Sequence, residues 1–432
     1  MSKQAVQSVK ELKAFFILWS TQSLSQLGSS MTAFALTLWL YEKTGSALQT
    51  ALLAICTYVP YILMSVLAGA LSDRWNKKKT MLVCDSLAAL CTVITFIMLK
   101  LDVLETWHLY VLNAINGLMN TVQQPAGEVA MTMIIPPKYY QRASGLRSLS
   151  QSLITILNPI LAAALFSFLG MEAVIAVDLG SFLIAFAALG LFVNISDGQR
   201  KEKQESVFKS AKNGLLFLKR NPLIFSLILF MAGVNFVASA FDAVLPAYVL
   251  SSPSGGQNVL GAVTASAGIA TLIGSGMASL LPKPKDRIRV IYLTMLISLS
   301  TENFLLAFVR QPILWCIGQV IGWVLVPVMS ANMDVILRSS IPVDMQGRVY
   351  ACRNTLQFFT IPIGLFIGGI MVDDVCEPLM EKAAEGSLLR QWFGAGKGSG
   401  AALVMFILGV LGAVFCLVFG RILKKYHYEE KA

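Results

Sequence analysis

The sequence predicts an all-α membrane protein of twelve transmembrane helices arranged as two pseudo-symmetric six-helix bundles. Composition, apolar run length and the placement of basic residues predict it. Of 432 residues, 56% are hydrophobic and 13% are charged, against roughly 25% charged in an ordinary soluble domain. The apolar residues fall into runs of about 20, each able to cross a hydrocarbon core of roughly 30 Å at about 1.5 Å per residue. A transmembrane barrel would alternate polar and apolar residues along each strand. Ala401 to Gly420 is apolar on every face instead.

The expected spans are 14–40, 48–71, 80–99, 107–133, 143–169, 171–193, 222–250, 258–281, 289–309, 312–336, 349–372 and 401–422. Sorting the 34 lysines and arginines into alternate connections places 28 on the side of both termini and 6 on the other. By the positive-inside rule, the richer side is cytoplasmic. The net charge of +10 is therefore read as topology, and no nucleic-acid partner is expected. The first apolar stretch, Ala14 to Leu40, is longer than a signal core and lacks a small-residue cleavage site. It is expected to remain as span one. The seven cysteines have no metal-site or disulfide-framework spacing and read as small apolar fillers.

The charged segment 194–221 divides the chain into an N-terminal bundle, 1–193, and a C-terminal bundle, 222–432, and reads as a cytoplasmic linker. An offset of 206 residues brings Glu128 onto Asp334, Pro136 onto Pro342, Arg142 onto Arg348, Arg147 onto Arg353 and Gln151 onto Gln357. Such a repeat places an acid at the end of span four or ten and two arginines leading into span five or eleven. Membrane transporters are commonly built from internal repeats of this kind.

Between spans two and three stands Gly69-Ala-Leu-Ser-Asp73-Arg74-Trp-Asn76-Lys77-Lys78-Lys79. It resembles the loop signature of the major facilitator superfamily, G-x-L-x-D-R-x-G-[RK]-[RK], with Asn76 at the second glycine. Asparagine tolerates a left-handed backbone better than most residues, so a tight turn is expected to survive. Pro125-Ala-Gly-Glu128 with Ile135-Pro136, Gln346-Gly-Arg348-Val-Tyr350, Val177-Asp178-Leu-Gly-Ser-Phe182 and Asp85 resemble the macrolide-efflux branch of drug:proton antiporters over nearly the whole chain. Span four lacks the arginine of the larger multidrug families, and span five has Asn158-Pro159 where their signature has Gly-Pro. Proton antiport is thus implied by the resemblance and not by a diagnostic motif.

Independently of that resemblance, four spans carry polar stripes. Span one has Gln22, Gln26 and Ser30; span four has Asn113, Asn116, Asn120 and Gln124; span seven has Asn235, Ser239 and Asp242; span ten has Gln319, Trp323 and Ser330. Steps of three or four keep each series on one helical face, which suits a wet cavity or a neighbouring helix. Interhelical glue remains the alternative for any single amide. The expected substrate cavity comprises Gln22, Gln26, Asn113, Asn116, Asn120, Gln124, Asn235, Asp242, Gln319 and Trp323. In the resembled fold, spans one, four, seven and ten surround the cavity.

A charge near the bilayer centre costs roughly 2.5–3.5 kcal/mol on insertion scales. Intramembrane acids therefore require partners, water or protons. A gate on the linker side is expected from Gly69, Asp73, Arg74, Asp85, Glu128, Arg142, Arg147, Asp334, Arg348 and Arg353. Asp178 and Glu302, on spans six and nine, are expected to make fold-stabilising hydrogen bonds. Asp242 alone among the acids lies on a cavity-facing stripe and is the proton-coupling candidate, because amides do not titrate near neutral pH. Asp373 to Arg390 reads as a long acidic outer loop, and Gly394 to Gly400 as a flexible lead-in to span twelve.

Enzymatic chemistry is not expected: His108 and His427 lie in an outer loop and the tail, leaving no intramembrane triad or histidine metal cluster. No cofactor or metal is expected. The residues and the resemblance together imply a monomeric secondary exporter of amphipathic, macrolide-like drugs in a bacterial plasma membrane. Such a protein works by alternating access, in exchange for protons, with both termini cytoplasmic. The alternatives are a siderophore or lipid exporter of the same fold, or a membrane protein that binds or senses a ligand without moving it.

Overall fold

Helix is the only regular structure among the described residues, because a chain crossing hydrocarbon must satisfy each backbone N–H and C=O internally. The computed structural model describes residues 12–136, 139–193 and 207–426; within them, the side chains of 65–74, 132, 141–142, 207–211, 343–344, 347 and 351 are not described. The gate candidates Gly69, Asp73, Arg74 and Arg142 therefore lie outside the described side chains, as does much of the linker.

In the first half, span one is Lys13–Thr44, span two Ala47–Arg74, span three Lys77–Lys100 and span four Thr106–Ile134. Spans five and six are the limbs 140–169 and 171–192 of one helical run, Tyr140–Phe192. Gly170 breaks that run with φ 77° and ψ 179°, backbone space that glycine enters without Cβ strain. After a linker helix, Val207–Arg220, come span seven (Pro222–Ser251), span eight (Gln257–Leu280) and span nine (Arg287–Phe308). Span ten is Pro312–Val324 followed by Val326–Ser340, and span twelve is Ser399–Leu423. Span eleven runs Val343–Phe358, Thr360–Ile370, a π-helical turn Met371–Cys376 and Glu377–Lys382. Nine helical stretches among the described residues are long and apolar enough to cross a membrane. One contains spans five and six together, while spans one and four, richer in amides and hydroxyls, fall outside that set.

Contacts divide the chain into two units. The first comprises Met1–Trp39 and Cys56–Gln204, the second Leu40–Ile55 and Glu205–Ala432. In the first, Leu18, Met81, Ala126, Ala130, Leu189 and Val193 form one apolar cluster. In the second, Ala51, Ala243 and Leu365 form another. Phe230 stacks on Phe415, with centroids 5.8 Å apart, joining spans seven and twelve.

Two expectations change. Asn76 adopts φ −63° and ψ 117°, not a left-handed conformation, and its side-chain oxygen accepts from Lys79 N at 2.9 Å. It starts span three as an N-cap. The expected outer loop after residue 372 is instead helical to Lys382, because its acids serve helix ends. Asp373 accepts from Ser46 Oγ at 2.6 Å, Ala47 N at 3.0 Å and Leu48 N at 2.9 Å, capping span two. Glu377 accepts from Gly398 N at 2.7 Å at the start of span twelve. Each carboxylate meets the positive end of a helix.

Candidate functional site

In the first unit, the amides of span one meet an acid of span three. Gln22 Nε2 donates to Asp85 Oδ2 at 3.2 Å, and Gln123 Nε2 donates to Asp85 Oδ1. Asp85, expected in the gate layer, is thus held by two amide donors. Gln26 Nε2 donates to Gln151 Oε1 at 3.4 Å. Gln22, Gln26, Arg147 and Gln151 line a pocket of about 390 Å³.

Farther along the same unit, Asn113, Asn116 and Asn120 of span four line a pocket of about 140 Å³ with Asp85, Asp178, Ser25, Ser29 and Thr57. Three of the four amides of the span-four stripe therefore share one wall. Gln124 is exposed and is not part of that lining. Asp178 is 4% exposed and accepts from Ser29 Oγ at 2.9 Å and Thr92 Oγ1 at 3.4 Å. Its hydrogen bonds tie span six to spans one and three.

In the second unit, Asn235 Nδ2 donates to the Gln357 carbonyl at 3.0 Å, fastening span seven to span eleven. Asp242, two turns later, is exposed. Gln319 is 2% exposed, so the span-ten stripe turns its first amide into the helix packing. Trp323 is half-buried and hydrogen-bonds Glu302 of span nine.

Four of the gate candidates form two ion pairs. Arg147 Nη1 donates to Glu128 Oε2 at 3.2 Å, and Nη2 donates to Oε1. Arg353 Nη1 lies 3.8 Å from Asp334 Oδ1, while Arg353 Nε donates to Gln357 Oε1 at 3.1 Å. Arg348 Nη1 lies 3.8 Å from Met345 Sδ, and its carbonyl lies under Gly214 of the linker helix.

The model of the Major Facilitator Superfamily matches residues 18–365. The chain belongs to that superfamily. It is a multi-pass membrane transporter and not an enzyme. Macrolide efflux protein A of Streptococcus pyogenes is 24% identical over 366 residues, covering 84% of this chain and 90% of the relative. The multidrug efflux pump Tap of Mycolicibacterium fortuitum is 22% identical, covering 80% and 86%. Among solved structures, the nucleoside transporter NupG superposes with a TM-score of 0.73 at 11% identity, covering 95% of this chain and 99% of that one. A bacterial homologue of the human lysosomal transporter Spinster gives 0.69 at 15% identity, covering 98% and 99%. These two superpositions show the major facilitator fold.

Sequence reading missed Gln123, the second donor to Asp85. It chose Gln124 as the next member of the stripe, although both follow Asn120 at helical spacing, by three and four residues. Asp373 was hidden because an acid after an apolar run reads as solvated loop. Only the folded chain brings the start of span two to it.

Proposed function

We propose that this major facilitator protein is a secondary active exporter of amphipathic, macrolide-like small molecules, working by alternating access with protons moving inward as cargo moves outward. The observation that carries the reading is the relation to a macrolide efflux protein across 90% of that protein's length. The relation to a multidrug pump over most of its length also supports export. Polar groups along otherwise apolar helices suit such cargo, since a few placed amides orient a ligand held mainly by apolar contact. In this reading 1–193 and 222–432 are the two moving bundles and 194–221 is a cytoplasmic linker. The protein acts as a monomer in a bacterial plasma membrane with both termini cytoplasmic, an orientation supported by the 28 basic residues on one side.

In this reading the cargo residues are Gln22, Gln26, Asn113, Asn116, Asn120 and Gln124 in the first unit and Asn235, Asp242 and Trp323 in the second, while Gln319 is turned into the helix packing. Asp242 supports proton coupling, being an exposed carboxyl on a membrane span, where an acid open to water can take up and release a proton. The test is a panel of macrolides and other amphipathic drugs in proteoliposomes under an imposed pH gradient. Gradient-driven accumulation of a macrolide is the expected result. Transport of cargo only down its own gradient would reject the antiport, and transport of none of the amphipathic panel would reject the cargo class.

A further inference from the structure

Glu302 stands on span nine with 5% of its surface exposed. Its carboxyl lies directly over Gly322 of span ten: a Cβ at that glycine would stand 2.2 Å from Oε2. Glycine is what leaves room for the acid. The neighbouring Trp323 hydrogen-bonds the carboxyl through its indole N–H. Oε1 is buried with no hydrogen-bond partner among the described residues. A carboxylate has about four acceptor sites, so one indole donor leaves an anion there largely unsatisfied.

Among the described residues, no cation pairs with Glu302. From span seven, Asp242 acts electrostatically on Glu302, and Tyr248 gives its hydroxyl hydrogen to the carbonyls of Leu306 and Val309. From span ten, Cys316 turns toward Ser266, and Asp334 pairs with Arg353. Cys416 of span twelve is buried in its own packing. Arg287 bonds Asn332, Arg310 lies against Gly394, and Arg390 reaches Glu381 and Glu385. The exposed Asp242 and the buried Glu302 repel one another when both are ionised, and that repulsion is relieved when a proton is held by one of them.

We propose that Glu302 and Asp242 form a two-carboxyl proton-binding site in the second unit, with Asp242 exchanging protons with water and Glu302 storing them. The proposal deepens the antiport reading and rests on it for the use of the proton. A proton taken up at Asp242 passes to Glu302 and leaves by the same port once hydration of Asp242 changes. Trp323 positions the buried carboxyl, and Gly322 gives it space.

Infrared spectroscopy of the purified full-length protein tests the site without any cargo. At neutral pH the wild type should show the C=O stretch of a buried protonated carboxyl, shifted in D₂O. Glu302→Gln should lose that band, and Asp242→Asn should displace it. A band retained in full by Glu302→Gln overturns the proposal. Should that variant not fold, Trp323→Phe should displace the band by removing the indole donor, and an unmoved band overturns it equally. In proteoliposomes, Glu302→Gln should lose gradient-driven accumulation and flatten the pH profile of transport; an unchanged profile counts against the site. A wild type that ignores the pH gradient yet shows the band behaviour would reject antiport while leaving the proton site standing.

Discussion

Arg353 holds its guanidinium 3.8 Å from the carboxylate of Asp334, and 206 residues earlier Arg147 pairs with Glu128 more closely, through two hydrogen bonds. The two halves thus place an arginine of span five or eleven on the acid ending span four or ten. Each pair fastens two helices of its own unit.

Reversing one pair should therefore impair transport more than folding. Arg147→Glu is expected to reduce efflux, and Glu128→Arg in the same chain to restore part of it. Both partners are substantially exposed, with side chains 38% and 51% accessible, so the stability change should stay below about 1 kcal/mol. Efflux in the single and double variants, beside thermal unfolding in detergent, checks this. Equal loss in both would show that the charges act separately.

Asp85 should be a structural acceptor as well as a cavity group, since Gln22 and Gln123 both donate to it. Asp85→Ala strands two amides and should cost about 1–3 kcal/mol. Asp85→Asn keeps one acceptor oxygen and should cost less. Equal unfolding temperatures for the two variants would contradict this account.

Asp373 caps span two with one hydroxyl and two backbone donors. Asp373→Ala should lower stability by about 0.5–2 kcal/mol, and Asp373→Asn by less. Thermal unfolding of the two variants reads the difference, and an alanine variant as stable as the parent would remove the cap from the account of this segment.

Orientation is tested by labelling. The native cysteines are buried or half-buried, and a chain with all seven replaced supplies a clean background. A cysteine at Glu385, whose side chain is 97% accessible, should react with an impermeant thiol reagent in intact cells. One at Lys212, exposed on the linker helix, should be protected. The reverse pattern would invert the assigned topology.

The sequence by itself determined the membrane class, the twelve spans and the internal repeat. Those properties follow from local quantities: apolar run length, helical period and the spacing of Glu128, Arg147, Asp334 and Arg353 along the chain. Helix in hydrocarbon is dictated residue by residue, because each backbone group must find its partner within the segment. Which side chains meet across helices was decided only by the tertiary structure. Gln123 rather than Gln124 reaches Asp85 because helix rotation selects between neighbours that differ by about 100°. Asp373 becomes a cap only when the start of span two arrives beside it. Glu302 reads as one more hydrogen-bonding acid on an apolar span until Gly322 and Trp323 are brought against it, since burial and lost hydrogen bonds are properties of packed neighbours and have no signature in the order of residues.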